Sequence, residues 1–169
     1  MPSKIIQIEP WIGHEELAQL KRVIESTYVV EHEPTAEFED MIKQLTGSKH
    51  AIAMTNGTVA LYCCLKSLGI GPGDEVIVPD YTFVSPINSV IHSGAKPVIA
   101  DIETKNLCMS LNSIKKKITS RTKAIIIVHT YGHAAEIDKI TKYAKKNKIL
   151  VIEDCAEALG TYFKKKHVG

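Results

Sequence analysis

The sequence predicts an α/β fold: an open, mainly parallel sheet with helical crossovers. Val- and Ile-rich segments, such as Val76-Ile77-Val78 and Ile125-Ile126-Ile127-Val128, run without in-out alternation, as strands do when both faces are covered. Segments with helical spacing stand between them, so successive strands pair in parallel through right-handed connections. The 169 residues are the length of one ordinary domain, enough for a sizeable core.

The elements follow in order. Leu17, Leu20 and Ile24 recur at helical spacing, with Glu15 and Glu16 early and Lys21 and Arg22 later, as the helix dipole favours. Phe38, Met41, Ile42 and Leu45 repeat the pattern. Residues 50–54 form a short apolar segment, expected as the first strand, and residues 58–68 a helix with Leu61, Cys64, Leu65 and Leu68 on one face. Gly69 to Asp74 breaks the chain. Residues 75–78 then give a β-branched strand, and residues 81–92 a helix whose first turns Pro86 makes irregular. The unit repeats as strand 97–100, helix 111–118, strand 124–129, helix 137–146 and strand 149–152. Five strands are expected. A hinge at residues 26–34 would separate an N-terminal arm with its helix, residues 1–30, from the sheet domain, residues 31–169.

Composition excludes several classes of function. With 21 basic and 19 acidic residues, a formal charge of +2 and no basic stripe interleaved with aromatics, no nucleic-acid partner is expected. Residues 1–10 lack an apolar core behind a basic start, and no apolar run approaches the roughly 20 residues that cross a bilayer. No membrane segment is expected, and the protein reads as cytoplasmic. Cys63, Cys64, Cys108 and Cys155 form no CxxC pair, so reduced buried thiols are expected rather than zinc or disulfides. His129 and His133 are four apart, but Gly132 interrupts them after a strand, and no metal site is expected.

In open α/β sheets ligands bind outside the carboxyl ends of the strands. Thr55 to Thr58, Pro79 to Phe83, His129 to Gly132 and Asp154 all fall there. Asn56-Gly57-Thr58 opens a helix, where free N–H groups and the dipole suit a phosphate, although ordinary capping needs the same residues. Gly69-Ile70-Gly71-Pro72-Gly73 follows a helix and precedes a strand, the reverse of a dinucleotide fingerprint, and reads as a helix stop. Asp154 ends a buried strand beside Glu153, and one of the two can face the cleft while its neighbour points away. Such a pair either caps the following turn or holds a pyridinium nitrogen protonated, so that the ring withdraws electrons. Phe83 either lies flat on such a ring or packs in the core.

Six ordered motifs share compatible spacing: Ala-Met-Thr-Asn-Gly-Thr-Val-Ala-Leu (53–61), Gly-Pro-Gly-Asp-Glu-Val-Ile-Val-Pro (71–79), Tyr-Thr-Phe (81–83), Thr-Lys-Ala-Ile (122–125), Val-His-Thr-Tyr-Gly (128–132) and Ile-Glu-Asp-Cys-Ala-Glu-Ala-Leu-Gly (152–160). From about Trp11 onward the chain resembles the DegT family of sugar-nucleotide aminotransferases. The resemblance implies pyridoxal phosphate as cofactor and an incomplete fold-type-I aminotransferase large domain. Gly57 and Thr58 would hold the cofactor phosphate, Phe83 would stack on the ring, Asp154 would pair with the ring nitrogen and Glu157 would reach the ring hydroxyl. The string Glu-Asp-Cys-Ala-Glu-Ala (153–158), which contains Glu157, together with Asn-Gly-Thr (56–58), is similar to GDP-perosamine synthases, which move an amino group from glutamate to a 4-keto-6-deoxy sugar nucleotide, and the family suggests polysaccharide biosynthesis. Full-length relatives are homodimers. The resemblance further implies that the Schiff-base lysine and a small C-terminal domain lie beyond Gly169. No catalytic residue is therefore assigned in this chain, which is expected to be a fragment, inactive by itself. Two alternatives stay open: a non-catalytic module that binds pyridoxal phosphate or a sugar nucleotide, and a structural or interaction protein. A nicotinamide enzyme is disfavoured, because no glycine fingerprint follows the first strand.

Overall fold

The computed structural model describes residues 9–169, so the first eight residues of the expected arm lie outside the described residues. The chain divides after Phe38 into two compact units. In the first, α1 (His14–Ser26) begins where the Glu16 carboxylate accepts the N–H of Gly13 at 2.6 Å. Arg22 pairs with Glu33 and Glu37. Leu17, Leu20 and Ile24 stay exposed, and α1 buries no residue. The next helix, α2 (Glu33–Thr46), crosses the division between the units.

The second unit carries α3 (Gly57–Ser67), β1 (Glu75–Pro79), α4 (Ser85–Ser93), β2 (Lys96–Ala100), α5 (Leu111–Lys117), β3 (Thr122–Val128), α6 (Ile137–Lys146) and β4 (Leu150–Asp154). A two-stranded antiparallel hairpin, β5 (Tyr162–Phe163) and β6 (Lys166–His167), follows. The four long strands form one parallel sheet in the order β2-β1-β3-β4. Alternate residues of the central strands feed two cores. Ile77, Ile125 and Ile127 pack with Ile114 of α5 and Ile140 of α6. Val76, Val78, Ala124 and Ile126 pack with Leu61 and Leu65 of α3 and Val90 of α4. Burial of each such Val, Ile or Leu contributes about 1.5–3 kcal/mol, so both faces of β1 and β3 anchor the sheet. The open sheet with helical crossovers that the sequence predicts is the observed architecture.

Three local expectations change. Residues 50–54 form no strand: their backbone joins no ladder among the described residues, and the N–H of Ala53 donates instead to Glu39 at 2.8 Å. The sheet therefore has four strands rather than five. The helix expected at 81–92 starts only at Ser85, with Pro86 in its first turn, where a missing N–H costs no helical hydrogen bond. Residues 81–84 are left as a loop above β1.

The amino end of the sheet is closed by Glu75, which is only 3 % exposed. Its carboxylate accepts from the Thr119 hydroxyl and from the Arg121 guanidinium at 2.7 Å, with the Lys96 ammonium at 3.9 Å. The Thr119 hydrogen bond, then that of Arg121, holds Glu75 below the usual carboxylate range. Among the described residues no helix is long and apolar enough to cross a membrane.

Candidate functional site

The strand order reverses between β1 and β3, because β2 lies outside β1 while β4 lies outside β3. A crevice at such a reversal is where open α/β sheets bind ligands. Tyr81, from the loop after β1, and Tyr131, from the 3₁₀ turn Thr130–Gly132 after β3, meet across it with hydroxyls 3.0 Å apart and rings edge to face. Tyr131 is held left-handed, at φ 50° and ψ 39°. For an aromatic L-residue that costs about 1 kcal/mol, and such strain gathers where surrounding contacts fix a site. Its N–H donates to Oε2 of Glu157 at 2.9 Å, which brings the turn after β4 to the same edge.

Asp154 and Glu153 divide as strand alternation requires. The carbonyl of Asp154 accepts from the N–H of His129, and its Oδ1 accepts from the N–H of Ala156 at 3.0 Å. Oδ2 has no hydrogen-bond partner among the described residues. Glu153 points the other way, and its Oε2 lies 2.9 Å from Nε2 of the buried His129. Because Nδ1 of His129 accepts from the N–H of Ala135, the ring proton is on Nε2 and is donated to Glu153. Burial pushes Glu153 up, but the His129 hydrogen bond and the Gly169 N–H outweigh it and leave this carboxyl below its usual range. Cys155, beside them, is pushed up to about 12 by burial and the two carboxylates, so it stays a thiol rather than a nucleophilic thiolate.

At the start of α3 the Asn56 side chain accepts from the N–H of Val59, which meets one of the free donors of the first turn. The N–H groups of Gly57 and Thr58 have no acceptor among the described residues. A Cβ on Gly57 would meet nothing within 4 Å, so open space lies over these donors. The hydroxyl of Thr58 lies 2.7 Å from that of Ser85 at the start of α4. Two residues before Ser85, Phe83 is 71 % exposed. It does not pack into either core of the sheet.

All five residues singled out in the sequence thus stand on one edge. Gly57 and Thr58 join it through Ser85, Phe83 lies above β1, Asp154 ends β4, and Glu157 is tied to the turn after β3. Sequence reasoning placed the spans that hold Tyr81, His129 and Tyr131 at this edge but not the Tyr81–Tyr131 and His129–Glu153 contacts, and it missed Ser85; Gly132 directly after Tyr131 signalled only a tight turn at a strand end.

Residues 10–169 match the profile of the DegT/DnrJ/EryC1/StrS aminotransferase family. Among solved structures, the chain is 39% identical to an aminotransferase from Psychrobacter cryohalolentis, with a TM-score of 0.90 over 95% of this chain and 41% of that one. It is 33% identical to DesV from S. venezuelae, solved in complex with a ketimine intermediate, with a TM-score of 0.88 over 92% of this chain and 42% of that one. It is 30% identical to NtdA from Bacillus subtilis, solved with bound cofactor PMP, with a TM-score of 0.83 over 95% of this chain and 39% of that one. The chain spans about two fifths of the length of each of these relatives.

Proposed function

Because the chain belongs to the DegT/DnrJ/EryC1/StrS aminotransferase family, we propose that its sheet edge is the pyridoxal phosphate-holding part of an enzyme that moves an amino group from glutamate to a 4-keto-6-deoxy sugar nucleotide. One observation carries the assignment. A 71 % exposed phenylalanine, an Asp154 oxygen without a partner among the described residues and the open first turn of α3 share one sheet edge. An aromatic face, a carboxylate acceptor and N–H donors at a helix start are the three kinds of group that a phosphorylated pyridine ring needs, so the residues fit the group.

The N–H groups of Gly57 and Thr58 would take the phosphate, assisted by the α3 dipole. Phe83 would cover one face of the ring and exclude water from it. The free Oδ2 of Asp154 would hold the proton on the ring nitrogen, while Oδ1 stays fixed by the Ala156 N–H. Glu157, anchored through Oε2 by Tyr131, would present Oε1 to the ring hydroxyl. When bound, the cofactor supplies an electron-withdrawing ring that stabilises negative charge on the carbon that gains or loses a proton. To the residues of this edge we assign that holding role.

Equilibrium dialysis against pyridoxal phosphate tests the proposal. The chain binds the cofactor, and Asp154→Ala weakens binding at least about tenfold, as loss of a charge-assisted hydrogen bond does. Identical titrations for the two proteins would remove the assignment. In the longer enzyme, Asp154→Asn slows transfer from glutamate to the keto sugar about 100-fold or more.

A further inference from the structure

We propose that Ser85 is a positioning residue for the cofactor phosphate: its hydroxyl turns the hydroxyl of Thr58 outward, as a donor, at the meeting of two helix starts. The inference rests on the cofactor assignment above and extends it to a residue outside the five drawn from the sequence.

Two hydroxyls 2.7 Å apart hold two protons, and their mutual hydrogen bond uses one. Neither oxygen has a further partner among the described residues, so one O–H of the pair remains free to donate. A phosphate only accepts. Its arrival beside Thr58 selects the arrangement in which Ser85 donates to Thr58 and Thr58 donates outward, and the first bond polarises the second. Without Ser85, the Thr58 hydroxyl is free to turn back onto its own helix, as threonine does in first turns.

The surroundings favour an anion at the same point. The N–H groups of Gly57 and Thr58 at the start of α3, and of Ser85 and Ile87 at the start of α4, all lack acceptors among the described residues. Both helices, of 11 and 9 residues, bring the positive ends of their dipoles to this contact. Phe83, two residues before Ser85, ties the same loop to the ring. One short segment would therefore register the phosphate against the aromatic face.

The test compares pyridoxal phosphate with unphosphorylated pyridoxal by equilibrium dialysis on the intact chain. Ser85→Ala is expected to weaken pyridoxal phosphate about tenfold and to leave pyridoxal unchanged, with Ser85→Thr restoring the preference. Added to Thr58→Val, which already lacks the donor, Ser85→Ala should cost less than about twofold more. A Ser85→Ala protein with the wild-type preference for the phosphorylated form overturns the inference, as does a full tenfold loss on the Thr58→Val background. If the wild-type chain shows no preference at all, the cofactor assignment falls with it, so the two failures are distinguishable. Ser85→Cys, which keeps the volume and weakens the donor, carries the same test should Ser85→Ala not fold.

Discussion

At the amino end of the sheet, Glu75 is buried, with Arg121 and Thr119 hydrogen-bonded to its oxygens and Lys96 close by. At the carboxyl end, Asp154 keeps one oxygen without a partner among the described residues, Phe83 stands in solvent, and two helix starts leave donors open. The same sheet supports both ends, and both lie on its central or neighbouring strands. The difference lies in how the polar groups are met. A carboxylate whose partners all come from the fold ties strands together. One with an acceptor left over, beside unmet donors and a bare aromatic face, has capacity only for something brought to it.

The largest expected effect on stability is at the closed end. Glu75→Ala should lower the free energy of unfolding by about 2 kcal/mol, because Thr119 loses its acceptor and the start of β1 its tie to Arg121. The Arg121 side chain is largely exposed and regains water, which keeps the loss below that of a fully buried pair. Denaturant titration reads it, and pyridoxal phosphate affinity should hold. A parallel loss of affinity would mean that the two ends are not separable.

Glu153 tests the division within the carboxyl end, since it neighbours Asp154 but serves the fold. Its folded-state pKa lies below the ordinary value of 4.5, so its contribution is fully present above that value and is lost as pH falls through the folded one. Glu153→Gln should cost about 1 kcal/mol near neutral pH, with the gap to wild type closing in acid. A gap that stays constant down the acid limb would show that the carboxylate charge is not what His129 recognises.

Much of this organisation was legible in the sequence because it follows from composition. The Val and Ile runs of β1 and β3 announce burial on both faces, and the helix expected at residues 137–146 has the bounds of α6. Residues 50–54 misled because apolar content guarantees neither burial, Ile52 and Met54 being exposed, nor a pairing partner. The β5–β6 hairpin was silent: Lys164 and Lys165 take φ of 48° and 67°, values usually announced by Asn-Gly, and nothing in Lys-Lys announces them. At the site, the motif residues Gly57, Thr58, Phe83, Asp154 and Glu157 were read in advance, whereas the Tyr81–Tyr131 and Thr58–Ser85 contacts join loops far apart in sequence.

Phe83→Ala has the smallest expected effect on the fold and sharpens the comparison most. A buried aromatic removed from a core costs about 3–5 kcal/mol, but a side chain 71 % exposed has little to lose. The unfolding free energy should therefore change by no more than about 0.5 kcal/mol, while pyridoxal phosphate binding weakens several-fold as the ring loses its stacking face. If instead the variant is destabilised by several kcal/mol with affinity intact, Phe83 serves the fold after all, and exposure is no guide to which residues at this edge await a ligand. If it is neutral for stability and costly for binding, the carboxyl end carries an aromatic face that the fold does not need and the ligand does.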